Sequence, residues 1–296
     1  MVVRVGIVDL ISLRPESMTR RVFLEAVTGA SQELVPGGIH LETTVFGIDP
    51  RGPVEDVDWA GLAVMDALIV SGSEPTTGDI AGEPCLRIID AMLRECAGSA
   101  LLFSCQSAHA ALHLLYGLGR QRLARRQHGC FEHHVVADAL TTDLPETVLV
   151  PHSRWNAMLS ADLRAAGVPI LLDSADAEWQ LAADGPDRVF IQGHPEYLCD
   201  TMAREYRRDL RRWLADPALS FPHIPRGYFP ADVYARLIEH AELVRTQRDP
   251  RLLDHLPLPA DYREVAADWS AHSRLFFANW LRVVAERCAA ETPLAA

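Results

Sequence analysis

Short apolar runs alternate with amphipathic segments over the first 120 residues of the chain. Apolar residues three and four positions apart indicate helices, whereas short apolar or alternating runs indicate strands. The pattern predicts strands at 2–10, 41–48, 67–70 and 99–104 and helices at 17–28, 84–96 and 106–116. Strands and helices that alternate at this spacing are typical of a parallel sheet covered by helices on both faces.

The pattern is less regular in the middle of the chain. It predicts strands at 131–136, 147–152, 169–173, 178–183 and 188–192, and helices at 156–166, 198–214, 231–246 and 269–290, with a proline-rich irregular stretch at 221–230. We therefore predict an α/β fold with a mostly parallel sheet, helices on both faces and a C-terminal helical appendage. A catalytic α/β domain would span 1–216, and a helical extension at 217–296 would pack on the same domain.

Composition narrows the class of protein. Hydrophobic residues make up 49% of the 296 residues, which is enough for a sizeable core. The formal net charge is -12, and all 28 lysine or arginine positions are arginine. This balance argues against nucleic acid as a partner, because a nucleic-acid groove needs a basic surface. A local arginine cluster would still suffice to bind an acyl-CoA or a nucleotide.

The sequence predicts neither a membrane segment nor an oxidising compartment. No apolar run approaches the ~20 residues needed to cross a bilayer, and the first residues form a strand rather than a signal peptide. The six cysteines form no Cys-x-x-Cys pair and suggest neither a zinc site nor a disulfide framework. We expect a cytoplasmic protein with free thiols, no bound metal and no membrane partner.

Two predicted strand ends carry residues suited to covalent catalysis. Cys105 follows one strand, and a helix begins directly after it at Gln106. Such a turn lifts the side chain out of the sheet and places it at a helix N-terminus, where the thiolate is favoured. His194 follows a later strand, and Glu196 lies close enough to hold the imidazole in one tautomer. A nucleophile, a base and an orienting carboxylate form a catalytic triad if the two strands are neighbours.

Plainer interpretations exist for these residues. A strand-end cysteine is usually buried and inert, and a lone histidine after a strand is usually structural. His109 and His113 lie four residues apart on the helix after Cys105, a spacing that can bind a metal. A zinc-protease helix needs glutamate after the first histidine, where this chain has Ala110, so we favour packing or solvation over a metal site.

Short sequence blocks along most of the chain resemble, in the same order, the sequence blocks of one known family. They lie at 102–117, 129–134, 150–155, 190–197, 205–209, 228–230 and 269–281. The His-Pro-Glu at 194–196 is weak evidence, because class I glutamine amidotransferases share it. The Pro-His-Ser-Arg at 151–154 and the Asn-Trp-Leu at 279–281 are specific. On these blocks the chain resembles the homoserine O-acyltransferase family, which includes the homoserine O-succinyltransferases.

This resemblance implies a class I glutamine amidotransferase-like fold, a homodimer and a covalent mechanism without a bound cofactor. Cys105 would attack the thioester of an acyl-CoA co-substrate, succinyl-CoA or acetyl-CoA, and keep the acyl group. His194, oriented by Glu196, would take the proton from the hydroxyl of homoserine or a related amino acid. The backbone N–H of Gln106 would help to hold the oxyanion.

The resemblance also implies substrate contacts at Arg126, Ser153 and Arg208. Arg208 suits a carboxylate clamp for an amino acid, whereas the family typically has lysine at the position of Arg126. The loop at 71–79, which in the family helps to select acetyl against succinyl donors, departs from the family's Gly-Ala-Pro pattern, and the loop at 11–16 replaces paired lysines. A different donor, or an acceptor such as serine in a specialised pathway, therefore stays open.

Two other functions compete with acyl transfer. A glutamine amidotransferase or hydrolase on the same fold would show glutaminase activity, but Cys105 lacks the flanking glycines usual for that nucleophile. A non-catalytic binding protein would have no reason to keep Cys105, His194 and Glu196 together. We therefore predict an acyltransferase that acts on small-molecule substrates.

Overall fold

A computed structural model describes residues 1–216, 218–263, 265 and 267–291 of the chain. Pro217, where the predicted helical extension begins, lies outside the described residues. The strands are β1 (Val2–Asp9), β2 (His40–Gly47), β3 (Ala67–Val70), β4 (Ala100–Ser104), β5 (Gln121–Val135), β6 (Thr147–Ala157), β7 (Ile170–Asp173), β8 (Leu181–Ala183) and β9 (Arg188–Ile191). The α-helices are α1 (Met18–Leu34), α2 (Trp59–Ala63), α3 (Cys85–Glu95), α4 (Gln106–Tyr116), α5 (Ser160–Ala165), α6 (Thr201–Ala215), α7 (Ala231–Gln247) and α8 (Ala267–Glu291).

All of these strands form one mixed sheet in the order β2-β1-β3-β4-β9-β8-β7-β5-β6. Strands β2, β1, β3, β4 and β9 pair in parallel, and the remaining pairings are antiparallel. The neighbouring pair β4 and β9 matters most, because Ser104 lies opposite Ile191 in its register. The residues that follow these two strands therefore emerge side by side at one edge of the sheet.

Helices cover both faces of the sheet, as the apolar pattern predicts. On one face of the sheet, α1 and α8 bury Phe23, Phe277 and Trp280 against the strands. On the other face, α3 and α4 bury Ile88 and Leu112 against the same strands. Strand β3 is buried along its whole length, which explains why its sequence is continuously apolar. The α/β prediction is confirmed, and α8 shares its core with the sheet.

A smaller apolar cluster joins α6 to α7, with Tyr206, Trp213 and Leu237 at its centre. The irregular stretch predicted at 221–230 runs between these helices without forming a regular element. No described helix has the length and apolarity required to span a bilayer.

The region from 121 to 166 differs from its sequence-based prediction. Strand β5 begins at Gln121 and not near 131, and β6 continues to Ala157, where a helix was predicted from 156. Only Ser160–Ala165 forms that helix. The polar start of β5 lies at the sheet edge with a bulge between Arg122 and Gln127, so it lacks the apolar alternation that indicates a strand.

Candidate active site

Cys105 occupies the sharp turn between β4 and α4. Its backbone has φ 54° and ψ -110°, a strained conformation for a residue other than glycine. The Cys105 N–H donates to the carbonyl of Ile191 on β9 at 2.7 Å. The Ser107 hydroxyl accepts from the N–H of Ser104 at 2.9 Å and lies 2.9 Å from the carbonyl of Val70. The turn is therefore fixed from both neighbouring strands, and the thiol is presented at the N-terminus of α4.

His194 follows β9 and faces the thiol. Its Nδ1 lies 2.9 Å from Oε1 of Glu196, whose side chain is only 3% exposed, and the ring interacts electrostatically with Cys105. Burial opposes the charged imidazole, but the charge of Glu196, its hydrogen bond to the ring and the interaction with Cys105 outweigh burial and raise the pKa of His194 to about 10. The structure thus brings Cys105, His194 and Glu196 together, with the imidazole protonated at neutral pH.

The backbone of Gly72, in the loop after β3, lies directly against this turn. A Cβ at Gly72 would stand 3.4 Å from both Cβ of Cys105 and the backbone nitrogen of Gln106, and 3.3 Å from the carbonyl oxygen of Ser104. A side chain at residue 72 would thus be in direct contact with the turn, tightest at the carbonyl oxygen of Ser104. Gln106, predicted as an oxyanion donor, therefore sits where two backbone segments converge on the nucleophile.

The three predicted substrate residues, Arg126, Ser153 and Arg208, meet in one half-buried cluster. Arg126 donates to Oγ of Ser153 at 2.5 Å and to Glu205 at 3.2 Å, and forms a close ion pair with Asp209. Arg208 donates to Asp209 at 2.9 Å and is 39% exposed, whereas Arg126 is 14% exposed. Arg208 is thus the more accessible cation of the two.

Glu205 connects this cluster to His194. Its Oε1 accepts from the Tyr197 hydroxyl at 3.1 Å, and the Tyr197 ring stacks on the His194 ring with centroids 4.4 Å apart. Although burial opposes ionisation, the contact with Nε2 of His128 at 3.4 Å, the charge of Arg126 and the hydrogen bond from Ser153 hold the pKa of Glu205 well below its usual range. Nothing in the sequence predicts a site role for Glu205, Tyr197 or His128, because each reads as an ordinary polar or aromatic position.

A buried polar chain lies behind His194 on the β5–β6 hairpin. Nε of Arg154 donates to Nδ1 of His152 at 3.3 Å, Nε2 of His152 lies 3.2 Å from Nε2 of His133, and Nδ1 of His133 donates to the carbonyl of Phe131 at 3.0 Å. Burial lowers the pKa of His133 to about 4 and that of His152 well below its ordinary value. Both rings are therefore neutral. Each ring accepts a hydrogen bond at one nitrogen and donates at the other, so a single arrangement of protons accounts for all three hydrogen bonds.

The two histidines of α4 do not share a ligand. His109 is buried and bonds Gln192 at 3.0 Å, and burial lowers its pKa to about 3. His113 instead lies 2.9 Å from the carbonyl of Leu118. Within the described part of the chain, no three histidine, cysteine or carboxylate side chains are arranged to hold a metal ion.

Comparison with known proteins decides the family. A family model of homoserine O-succinyltransferases matches residues 58–290. The chain is 35% identical over 268 residues to a homoserine O-succinyltransferase of Methylorubrum extorquens, covering 85% of this chain and 81% of that protein. The chain belongs to the homoserine O-succinyltransferase family. The family predicted from the sequence blocks is therefore confirmed.

Further comparisons agree with this family and with the fold. A homoserine O-succinyltransferase of Bradyrhizobium japonicum is 37% identical over 237 residues, covering 78% of this chain and 72% of that protein. A solved glutamine amidotransferase from Methylobacillus flagellatus matches with a TM-score of 0.50 at 14% identity, covering 95% of this chain and 94% of that chain. That likeness concerns the fold alone, and it confirms the predicted class I glutamine amidotransferase-like architecture of this family member.

Proposed function

We propose that this family member transfers an acyl group from acyl-CoA to the hydroxyl of homoserine or a related amino acid through an acyl-enzyme on Cys105. The observation that carries the proposal is the pairing of β4 with β9, which sets Cys105 beside the His194–Glu196 pair. The names of the relatives, homoserine O-succinyltransferases, support the class of reaction. The arginine and carboxylate cluster beside His194 supports an amino-acid acceptor.

In the first step, the thiolate of Cys105 attacks the thioester carbonyl of the acyl-CoA. The oxyanion that forms is held by backbone N–H groups at the turn, of which Gln106 supplies one. The bond between the carbonyl carbon and the CoA sulfur then breaks. His194, protonated in the resting enzyme, gives its proton to the departing CoA thiolate, and the acyl group stays on Cys105.

In the second step, His194 works in the opposite direction. Acylation converts the sulfur of Cys105 into a neutral thioester, which ends its favourable interaction with the protonated imidazole. The now neutral His194 therefore accepts the proton of the acceptor hydroxyl as that oxygen attacks the acyl carbonyl. The ester product leaves, and the thiolate and imidazolium are restored.

The cluster around Arg126 provides the acceptor site. Arg126 has three internal partners, so we assign it to holding Ser153 and Glu205 in place. Arg208 is accessible, so its guanidinium is suited to bind the α-carboxylate of the amino acid. The nearby carboxylates, Glu205 and Asp209, suit the α-ammonium group.

The test is the intact mass of the protein after brief incubation with acetyl-CoA, succinyl-CoA or another acyl-CoA, without acceptor. We expect one donor to leave an acyl adduct that is absent from Cys105→Ala, and homoserine or serine to discharge it. A protein that forms no adduct with any donor but hydrolyses glutamine would support the amidotransferase alternative. The homodimer implied by the resemblance is tested in the same sample by light scattering after size exclusion.

A further inference from the structure

A fully buried ion pair lies beside the nucleophile, and the proposed mechanism makes no use of it. The side chains of Arg120 and Glu83 are 0% and 1% exposed, and they contact each other directly. Arg120 also donates to Oε1 of Gln106, the residue after the nucleophile, at 2.5 Å. Its remaining donors reach the backbone carbonyls of Thr77 at 2.5 Å and Gly78 at 3.3 Å.

Glu83 holds the same loop through the opposite charge. Its carboxylate accepts from the backbone N–H groups of Thr76 and Thr77 at 3.0 Å, and from the Thr76 hydroxyl at 3.0 Å. Although burial opposes ionisation, these bonds and Arg120 keep the pKa of Glu83 below its ordinary value. The two charges together fasten the loop at 71–79, here called the clamp loop, to the side chain of Gln106.

Two features distinguish the Arg120–Glu83 pair from the apolar packing around it. Withdrawing two charges from water is costly, and hydrogen bonds to the charged groups offset this cost. Arg120 makes four such bonds, and Glu83 accepts from Arg120, Thr76 and Thr77. The planar guanidinium of Arg120 serves Glu83, Gln106 and two backbone carbonyls at once, which a lysine ammonium cannot do with the same geometry.

The clamp loop also carries Gly72, which touches the turn at Cys105. A Cβ at Gly72 would lie 3.4 Å from both the Cβ of Cys105 and the backbone nitrogen of Gln106, so the backbone of the clamp loop packs against the turn that carries the nucleophile. The same ion pair therefore holds both partners of this contact. It binds the backbone of the clamp loop and, through Arg120, the side-chain amide of Gln106.

We infer that Arg120 and Glu83 are positioning residues, which hold the clamp loop and Gln106 against Cys105 so that the oxyanion donors are in place for acyl transfer. This inference rests on the proposed function, because only a reaction through a tetrahedral oxyanion needs those donors. Both side chains are buried, so we assign neither of them a contact with the substrate. Their effect on the reaction passes through the loop and through Gln106.

The experiment compares two reactions of the same sulfur. Acylation by the donor identified by mass builds up an oxyanion, whereas alkylation of Cys105 by iodoacetamide displaces iodide and builds up none. We expect Glu83→Gln and Arg120→Lys to slow acyl-enzyme formation roughly 10- to 100-fold in single turnover, since small misplacements of such donors have effects of this size. Alkylation should stay within about twofold of the wild-type rate, since the thiolate and His194 are untouched.

Folding is controlled with two further variants. The double variant Arg120→Met/Glu83→Leu removes both buried charges, a change that is often neutral for stability, but it leaves the N–H groups of Thr76 and Thr77 without their carboxylate. We expect it to be folded and still slow in acylation. Arg287→Gln breaks the ion pair with Asp187, which precedes β9 at the opposite sheet edge, and should leave both rates unchanged.

The outcomes separate the two proposals. A wild-type protein that forms no acyl-enzyme would refute the proposed function, and the positioning role with it. A wild-type protein that acylates, with folded variants that acylate equally fast, would refute the positioning role alone. A parallel loss of acylation and alkylation would also overturn it, because the whole turn at Cys105 would then have been disturbed. Slow acylation with normal alkylation supports it.

Discussion

The charge of Glu196 is the feature whose removal tests the site most directly. In the folded protein the pKa of His194 stands at about 10 against an ordinary 6.5, which corresponds to roughly 5 kcal/mol in favour of the protonated ring. Glu196 is nearly buried and 2.9 Å from the ring, so its charge is poorly screened. An opposite charge at such a distance typically shifts a pKa by about 1–3.

The substitution Glu196→Gln keeps the shape of the side chain and removes this charge. We expect the pKa of His194 to fall by about 1–3, and the rate of acyl transfer at pH 8 to fall at least about 100-fold, because the ring loses both its charge partner and its fixed tautomer. The exposed Glu132→Gln on β5 is the control and should change neither quantity.

The assay is a titration of histidine ring resonances by NMR, with the signal of His194 assigned from a His194→Asn sample. The wild-type midpoint should lie near pH 10 and the Glu196→Gln midpoint clearly lower. A wild-type midpoint near 6.5, or an unchanged midpoint in the variant, would refute the electrostatic reasoning.

The same shift has a consequence for stability. Because the folded-state pKa of His194 is raised, its contribution is fully present below about pH 6.5 and is lost as the pH rises through about 10. The Glu196→Gln protein should therefore lose less of its free energy of unfolding across that window, as measured by urea denaturation at several pH values.

Three further predictions follow from the site and its support. Arg208→Gln should raise KM for the amino-acid acceptor roughly 10- to 100-fold and leave the rate of acyl-enzyme formation unchanged. The same change at the exposed Arg204, one turn earlier on α6, should leave both KM and this rate unchanged. Gly193→Ala would place a Cβ 2.8 Å from the His152 ring, so we expect about 1–3 kcal/mol of destabilisation and slower acylation, checked by thermal unfolding and single turnover. Burial lowers the pKa values of His109 and His133 to about 3 and about 4, so both rings stabilise the fold fully above about pH 6.5 and progressively less as the pH falls. Each histidine should lower the free energy of unfolding by about 2 kcal/mol between pH 6.5 and 5, as measured by urea denaturation. A free energy of unfolding that stays constant over this range would contradict the prediction.

The sequence by itself determined the elements whose signal is local. Apolar runs and helical spacing between 2 and 116 predicted β1 to β4 with α1, α3 and α4, because buried strands and amphipathic helices impose their period on neighbouring residues. The same local signal placed Cys105 and His194 at strand ends. The family blocks pointed to Arg126, Ser153 and Arg208, each as a separate residue.

Only the tertiary structure decided which of these residues meet. Residues 104 and 191 are far apart in sequence, and their pairing in the β4–β9 register brings Cys105 to His194. The polar start of β5 forms a strand only because β6 pairs with it across the bulge. No local period records such a pairing.

The buried charges depend most strongly on tertiary structure. Glu83, Arg120 and Glu205 read as ordinary polar positions in the sequence, where arginines and carboxylates are mostly solvated. They become structural and electrostatic elements of the site only because distant segments enclose them and supply their partners. Burial of a charge depends on what surrounds it in three dimensions, and the chain on either side of the residue carries no sign of it.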